Sequence, residues 1–240
     1  MTAEHVAEPG RGAPRLQKLA PARRAMVRAT CRAVEVPYFS LRTSADVTAL
    51  FDLRTAIRRS QLGVVPSVND LVVRAVALAL RAHPGVNASY EDGTVAEYPR
   101  VNVGVAIAVD GGLVAPAVYD ADTKDSVAIA HDTRRLVDLA ARGALPLAVL
   151  QDGTFTVSNL GMYGIEDFDP LLNPPQAAIL GVGAATAGRI RTIRLTLGCD
   201  HRVLTGAEGA RFLAAVRAHL QAPEQLAPAA VEGGDRIASR

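Results

Sequence analysis

Two stretches of the chain hold side chains whose type and setting suit proton transfer. In "GCDHRVLTGAEGARFL" (198–213), His201 lies between an apolar run and a patterned helix, in the kind of loop that displays functional groups on a rigid scaffold. An imidazole there can exchange a proton near neutral pH, or it can be a satisfied, partly buried histidine; position alone leaves both open. Asp200 and Arg202 point away from His201 if the strand pleat persists, so the pair reads as a structural ion pair. In "GTFTVSNL" (153–160), Thr154, Thr156 and Ser158 share one face of an alternating strand. Read alone, these hydroxyls line a sheet surface. Thr205, four residues after His201, cannot carry a charge. Arg189, Arg191 and Arg194 suit a phosphate or an exposed, charged strand, and His83 reads as a helix C-terminal histidine. His5, His131 and His219 have weaker claims. No metal-ligand spacing, phosphate-cradling glycine loop or nucleophile elbow is present.

The elements that must position these residues follow from periodicity. A helix is predicted from about Ala22 to Val34 and ends before Pro37; "YFSLRTSADV" reads as a strand, and a second helix runs from about Thr48 to Ser60. "PSVNDLVVRAVALALRAHPG" has Ser67 as its cap, Asp70 at the capping-box position, and a wide apolar stripe that must pack on a sheet. "VNVGVAIAV" (101–109) and "LVAPAV" (113–118) flank Asp110-Gly111-Gly112 and predict one hairpin. A helix opens at Ser126 and ends by Gly143. Apolar strands follow at 153–160, 177–183 and 190–199, and a last helix starts near Gly206 and buries Phe212, Leu213, Val216 and Leu220. Strands and helices so mixed predict a layered α/β domain with a mixed sheet.

Composition narrows the function classes. The chain has 240 residues, 49% hydrophobic and 21% charged, which is enough for a core that needs no staples. A net charge of +2 leaves no electrostatic footprint for nucleic acid. Two cysteines are too few for a disulfide framework and fit a reducing cytoplasm, and no stretch is long and apolar enough for a signal peptide or a membrane span. Residues 1–14 and 222–240 are expected to be tails around a catalytic unit at 15–221.

Taken in series, "SVNDLVVRAVALALRAHPGVNASY", "VNVGVAIAVDGGLVAPAV", "GTFTVSNLGMYGIEDFDPLLNPPQAAILGVG" and "CDHRVLTGAEGARFL" resemble the catalytic domain of dihydrolipoyl acyltransferases of 2-oxo acid dehydrogenase complexes, over about residues 15 to 226. That domain is similar to chloramphenicol acetyltransferase. The resemblance implies the coenzyme A-dependent acyltransferase fold, a two-layer mixed sheet with helices. It also implies a homotrimer with active sites at subunit interfaces, and acetyl-CoA as co-substrate with no bound cofactor. It makes His201, in the family's Asp-His-Arg motif, the general base, and Ser158, in its Thr-x-Ser-x-Leu-Gly motif, the oxyanion donor.

Three departures from the family shape the functional expectation. About 14 residues precede the catalytic unit, so no lipoyl arm is expected on this chain. The polar ending "VEGGDRIASR" is expected to leave an isolated trimer. The family has Asp or Asn where Thr205 stands, and commonly His in Pro-His-Phe where "VPYFS" has Tyr38; Thr205 is expected to support the loop, and Tyr38 to line the acceptor channel. The expected activity is acetyl-CoA-dependent O-acetylation of a small-molecule hydroxyl, resembling the acetyltransferases of tetronate-type polyketide pathways. The alternatives are a dihydrolipoyl acyltransferase core served by a separate lipoyl protein, and a non-catalytic trimeric scaffold.

Overall fold

The computed structural model describes residues 14–228 except Leu62. Residues 1–13, His5 among them, and 229–240 lie outside the described residues, so the expectation of tails there does too.

Six strands form one mixed sheet in the order β1-β10-β9-β8-β4-β7. They are β1 (Tyr38–Asp46), β4 (Val103–Val105), β7 (Ala117–Val118), β8 (Phe155–Asn159), β9 (Ala178–Val182) and β10 (Thr192–Asp200). β8 runs parallel to β4 and β9, while β1–β10, β10–β9 and β4–β7 are antiparallel. Two hairpins stand apart, β2 (Ala88–Glu91) with β3 (Thr94–Glu97), and β5 (Ile107–Val109) with β6 (Gly112–Val114). The helices are α1 (Pro21–Val34), α2 (Thr48–Arg59), α3 (Val68–Ala82), α4 (Ser126–Ala141), α5 (Leu147–Gln151) and α6 (Gly206–Gln221).

The pleat divides the sheet's residues between two environments. Phe155, Leu180, Leu195, Leu197 and Cys199 are buried in the same core as Leu71, Val76 and Phe212 of α3 and α6. The opposite face carries Thr156, Ser158, Gly181, Thr196 and Asp200, with Arg42 of β1 in the register of Thr196. The chain after β8 folds over this face. Thr196 Oγ1 donates to Asp167 Oδ1 at 2.6 Å, and a Cβ at Gly181 would meet Phe168 and Pro170 at 3.2 Å.

The α3 start is the one its sequence predicts: Ser67 Oγ accepts from Asp70 N, and the Asp70 carboxylate accepts from Ser67 N at 2.7 Å. Asp70 is nevertheless buried, because its other oxygen accepts from Thr133 Oγ1 of α4 at 2.6 Å.

Three expectations need correction. The runs 101–109 and 113–118 do not form one hairpin. Pro116 has no N–H to continue the ladder, so β4 and β7 stay in the main sheet while β5 and β6 pair beyond it. The β2–β3 hairpin and α5 were not read from the sequence, although Asp92-Gly93 is a turn signal and both residues have positive φ, 43° and 87°. Finally, Pro223–Leu226, inside the segment expected to be tail, forms a 3-10 turn, and its Leu226 is fully buried in the core.

Candidate active site

His201 follows directly on β10. Its backbone N–H donates to Pro37 O at 2.8 Å, which ties the loop to the start of β1. The N–H groups of Val203 and Leu204 donate to Asp200 O at 3.1 and 2.9 Å, closing a tight turn around His201. The buried Asp200 carboxylate accepts from Arg202 N at 2.9 Å and from the Nε–Nη2 edge of the Arg202 guanidinium, the shortest contact being 2.7 Å. The expected Asp200–Arg202 ion pair is therefore present, and it shapes the turn. The imidazole is exposed, unlike a buried structural histidine, and lies 4.6 Å from the Phe39 ring at 49°.

Thr205 is the N-cap of α6. Its Oγ1 accepts from Glu208 N, and the Glu208 carboxylate accepts from Thr205 N at 2.8 Å and from Thr205 Oγ1 at 2.7 Å. These donors hold the Glu208 carboxyl below its usual range, the Thr205 side chain first and its backbone second. Thr205 thus starts the helix that follows the histidine turn.

Ser158 is the penultimate residue of β8, half-buried and opposite Gly181. Just beyond it, Asn159 Oδ1 accepts from Gly161 N at 2.8 Å and Asn159 Nδ2 donates to Asn69 Oδ1 at 3.2 Å, pinning the strand exit to α3. A Cβ at Gly161 would come within 2.7 Å of Gly183 O, so the chain can turn this closely only at glycine. The other hydroxyls on this face are engaged, Thr156 with Gln176 at 2.6 Å and Thr154 with Asn102.

Within one chain the structure does not bring His201 and Ser158 together. Ser158 is level with Gly181 and Thr196, whereas His201 lies five residues beyond Thr196 and two strands across. Strand geometry makes that about 16 Å along the sheet and about 10 Å across it. The two groups sit at opposite ends of the sheet, and the His201 ring lies against Phe39, which shares the core-side register of Cys199.

Tyr38 pairs with Asp200 in register and lies over Gly198, where a Cβ would strike its ring. Burial, and secondarily the Asp169 carboxylate, push its phenol up to about 12, so it stays protonated at neutral pH. One cluster escaped sequence reasoning. Arg42 donates to Asp169 at 2.6 Å and pairs with Asp167 at 3.3 Å, fastening the segment after Ser158 to β1. The acidic run 166–169 was its only sequence signal. A cleft of about 310 Å³, lined by Tyr98, Arg100, Asp152 and Gln176 among others, opens where β4, β8 and β9 begin, on the His201 side of the sheet. Arg191 stacks on Phe51 at 4.3 Å, while Arg189 and Arg194 are exposed. Among the described residues no group of His, Cys, Asp and Glu is placed to hold a metal, and no helix is long and apolar enough to cross a membrane.

This architecture is that of chloramphenicol acetyltransferase, which at 15% identity and a TM-score of 0.54 shares the fold alone. The chain matches the family 2-oxoacid dehydrogenases acyltransferase (catalytic domain) over residues 12–227, and it belongs to that family. It is 38% identical over 200 residues to the dihydrolipoyllysine-residue acetyltransferase component of the pyruvate dehydrogenase complex of Rickettsia bellii, covering 78% of this chain and 48% of that protein. The chain thus spans about half the length of the curated relatives it matches. A structure addressing the catalytic roles of a serine, a histidine and an asparagine in Azotobacter vinelandii dihydrolipoamide acetyltransferase superposes with a TM-score of 0.85 at 27% identity, covering 90% of this chain and 94% of that one. The cubic core of the pyruvate dehydrogenase multienzyme complex gives 0.86 at 27% identity, covering 94% and 99%.

Proposed function

We propose that this chain transfers an acyl group between coenzyme A and a dihydrolipoyl thiol, with His201 as general base and Ser158 as oxyanion donor. The observation that carries this reading is the family match across almost the whole described chain, together with relatives that are dihydrolipoyl acetyltransferases. In the Azotobacter protein the histidine and asparagine are four residues apart, the spacing of His201 and Thr205.

The chemistry needs few groups. His201 removes the proton as the acceptor sulfur attacks the carbonyl of the coenzyme A thioester, a role worth about 10²–10⁴-fold. Charge develops on the former carbonyl oxygen, where the Ser158 hydroxyl donates, worth roughly 10²–10³-fold. Collapse of the intermediate expels coenzyme A as a thiolate, which recovers the proton from the imidazolium. No acyl-enzyme forms. Because one chain holds the two groups at opposite ends of its sheet, each site takes His201 from one copy and Ser158 from another, and a homotrimer closes such a ring.

A hydroxyl acceptor is the second reading, the O-acetylation expected above. Two observations favour it: Thr205 stands where the Azotobacter relative has an asparagine, and the Tyr38 phenol walls the sheet beside the histidine turn. The relatives favour the dihydrolipoyl thiol.

The deciding experiment incubates the protein with acetyl-CoA and, separately, a lipoylated domain reduced to the dithiol, free dihydrolipoamide, and a panel of small-molecule alcohols, with products read by mass spectrometry. Acetylation of the dithiols supports the first reading; acetylation of alcohols alone supports the second. Ser158→Ala is expected to lose about 10²-fold in kcat with KM for acetyl-CoA little changed, and His201→Ala to be nearly inactive. Wild-type turnover by the His201 variant would overturn both readings.

A further inference from the structure

The β2–β3 hairpin projects beside the histidine turn, and the chemistry above gives it no role. Its Tyr90 ring lies under the Arg202 guanidinium, with Cζ 4.2 Å from the ring centroid. The same guanidinium grips the buried Asp200 carboxylate through Nε at 3.0 Å and Nη2 at 2.7 Å. The carboxylate also accepts the Arg202 backbone N–H, and the Asp200 backbone carbonyl accepts the N–H groups of Val203 and Leu204, which closes the turn that carries His201. The hairpin is itself anchored. Ser89, next to Tyr90, bonds Tyr98 at 2.8 Å and bridges Gln176, which reaches Thr156 on β8.

We propose that Tyr90 is a positioning residue for His201: by stacking on Arg202 it holds the guanidinium on Asp200 and so fixes the turn that presents the imidazole. The proposal rests on the reading of His201 as the base. An exposed imidazole on a short turn gains little from its neighbours directly, so its orientation depends on how rigidly Asp200 and Arg202 hold the backbone on both sides. Two flat groups, the half-buried ring and the guanidinium, add that rigidity to an ion pair whose Asp200 end is buried and whose Arg202 end is about a third exposed. Arginine rather than lysine is required, because only the planar fork can stack and bridge both carboxylate oxygens at once. Small displacements of a base are costly to rate even when binding is untouched.

The test uses the full chain with Tyr90→Leu, Tyr90→Phe and Arg202→Lys. Two readouts are taken: steady-state kinetics with acetyl-CoA and the best acceptor, and peptide-resolved ethoxycarbonylation of His201 by diethylpyrocarbonate across pH. The second needs no turnover and reports the exposure and titration of that imidazole alone. Tyr90→Leu and Arg202→Lys are expected to lower kcat about 3–10-fold with KM for acetyl-CoA unchanged and to alter the His201 modification profile, while Tyr90→Phe stays at wild-type values in both. A Tyr90→Leu protein with wild-type kcat and an unaltered profile would overturn the proposal. So would a loss shared equally by the Leu and Phe variants, since the phenyl ring retains the stack. If the wild type transfers to no acceptor but the profile still responds to Tyr90→Leu and not to Tyr90→Phe, the positioning role holds and the reading of the base fails.

Discussion

Thr205 and the two cysteines show how local environment decides what a residue type does. Thr205 and Glu208 exchange bonds as a capping box at the start of α6, so Thr205→Ala is expected to cost about 1 kcal/mol, or about 2–4 °C in Tm. Calorimetry checks this, and Thr205→Asn, another good cap, is expected to keep the wild-type Tm. The sign of the pH dependence follows from Glu208, whose carboxyl is held below its ordinary value of 4.5 in the folded protein. A depressed acid stabilises the fold above its unfolded pKa and loses that contribution as pH falls through the folded one. The Tm gap between wild type and Glu208→Gln is therefore expected to shrink as the pH drops below that value. Cys199 is buried on the core side of β10, and burial, then the neighbouring Asp200 charge, push its thiol up to about 12. Cys31 is exposed on α1. Iodoacetamide at neutral pH is expected to label Cys31 alone in the native protein, read by peptide mass spectrometry.

At the scale of elements, the exit of β8 is the most constrained part of the site. Gly161 and Gly183 let two chain segments touch where side chains would collide, and a Cβ at Gly183 would overlap the Glu166 carbonyl. Ala184 N donates to Ile165 O at 2.7 Å across the same contact. Gly183→Ala is expected to force the 161–167 segment off the sheet, costing about 1–3 kcal/mol and lowering kcat with Ser158 itself intact. Chemical denaturation and kinetics of this single variant would reveal both effects. Much of the element pattern was legible in the sequence because it rests on local chemistry. Ser67 and Asp70 announce α3, the 3.6-residue apolar stripe of 71–80 follows, and Pro37 ends the stretch that leads out of α1. The division of 101–118 between two sheets carries one local mark, Pro116, which cannot continue the ladder; which partners the two halves take is set by the rest of the sheet.

For the whole molecule, the separation of His201 and Ser158 means that the proposed chemistry needs two copies of the chain. Mixing Ser158→Ala with His201→Ala chains under conditions that exchange subunits is expected to restore up to about a quarter of wild-type activity, because one interface in four then joins an intact histidine to an intact serine. Each variant alone stays at about a hundredth of wild-type activity or below. A mixture no better than its components would place both residues in one copy, or neither in the chemistry. The core tolerates such exchange because α3 and α6 bury it within each chain, and Leu226 seals it after α6.

By itself, the sequence determined where the five longer helices start and stop, which faces are apolar, and that His201 and Ser158 stand at the ends of strands. These are consequences of side-chain size, polarity and capping within a few residues. Only the tertiary structure decided what those residues meet. Strand order puts His201 and Ser158 at opposite ends of the sheet, Arg42 reaches Asp167 and Asp169 across more than a hundred residues, and Tyr90 slides under Arg202 from a separate hairpin. Such pairings depend on the register and order of strands, which is set by how the whole apolar surface is buried and leaves no mark at the residues themselves.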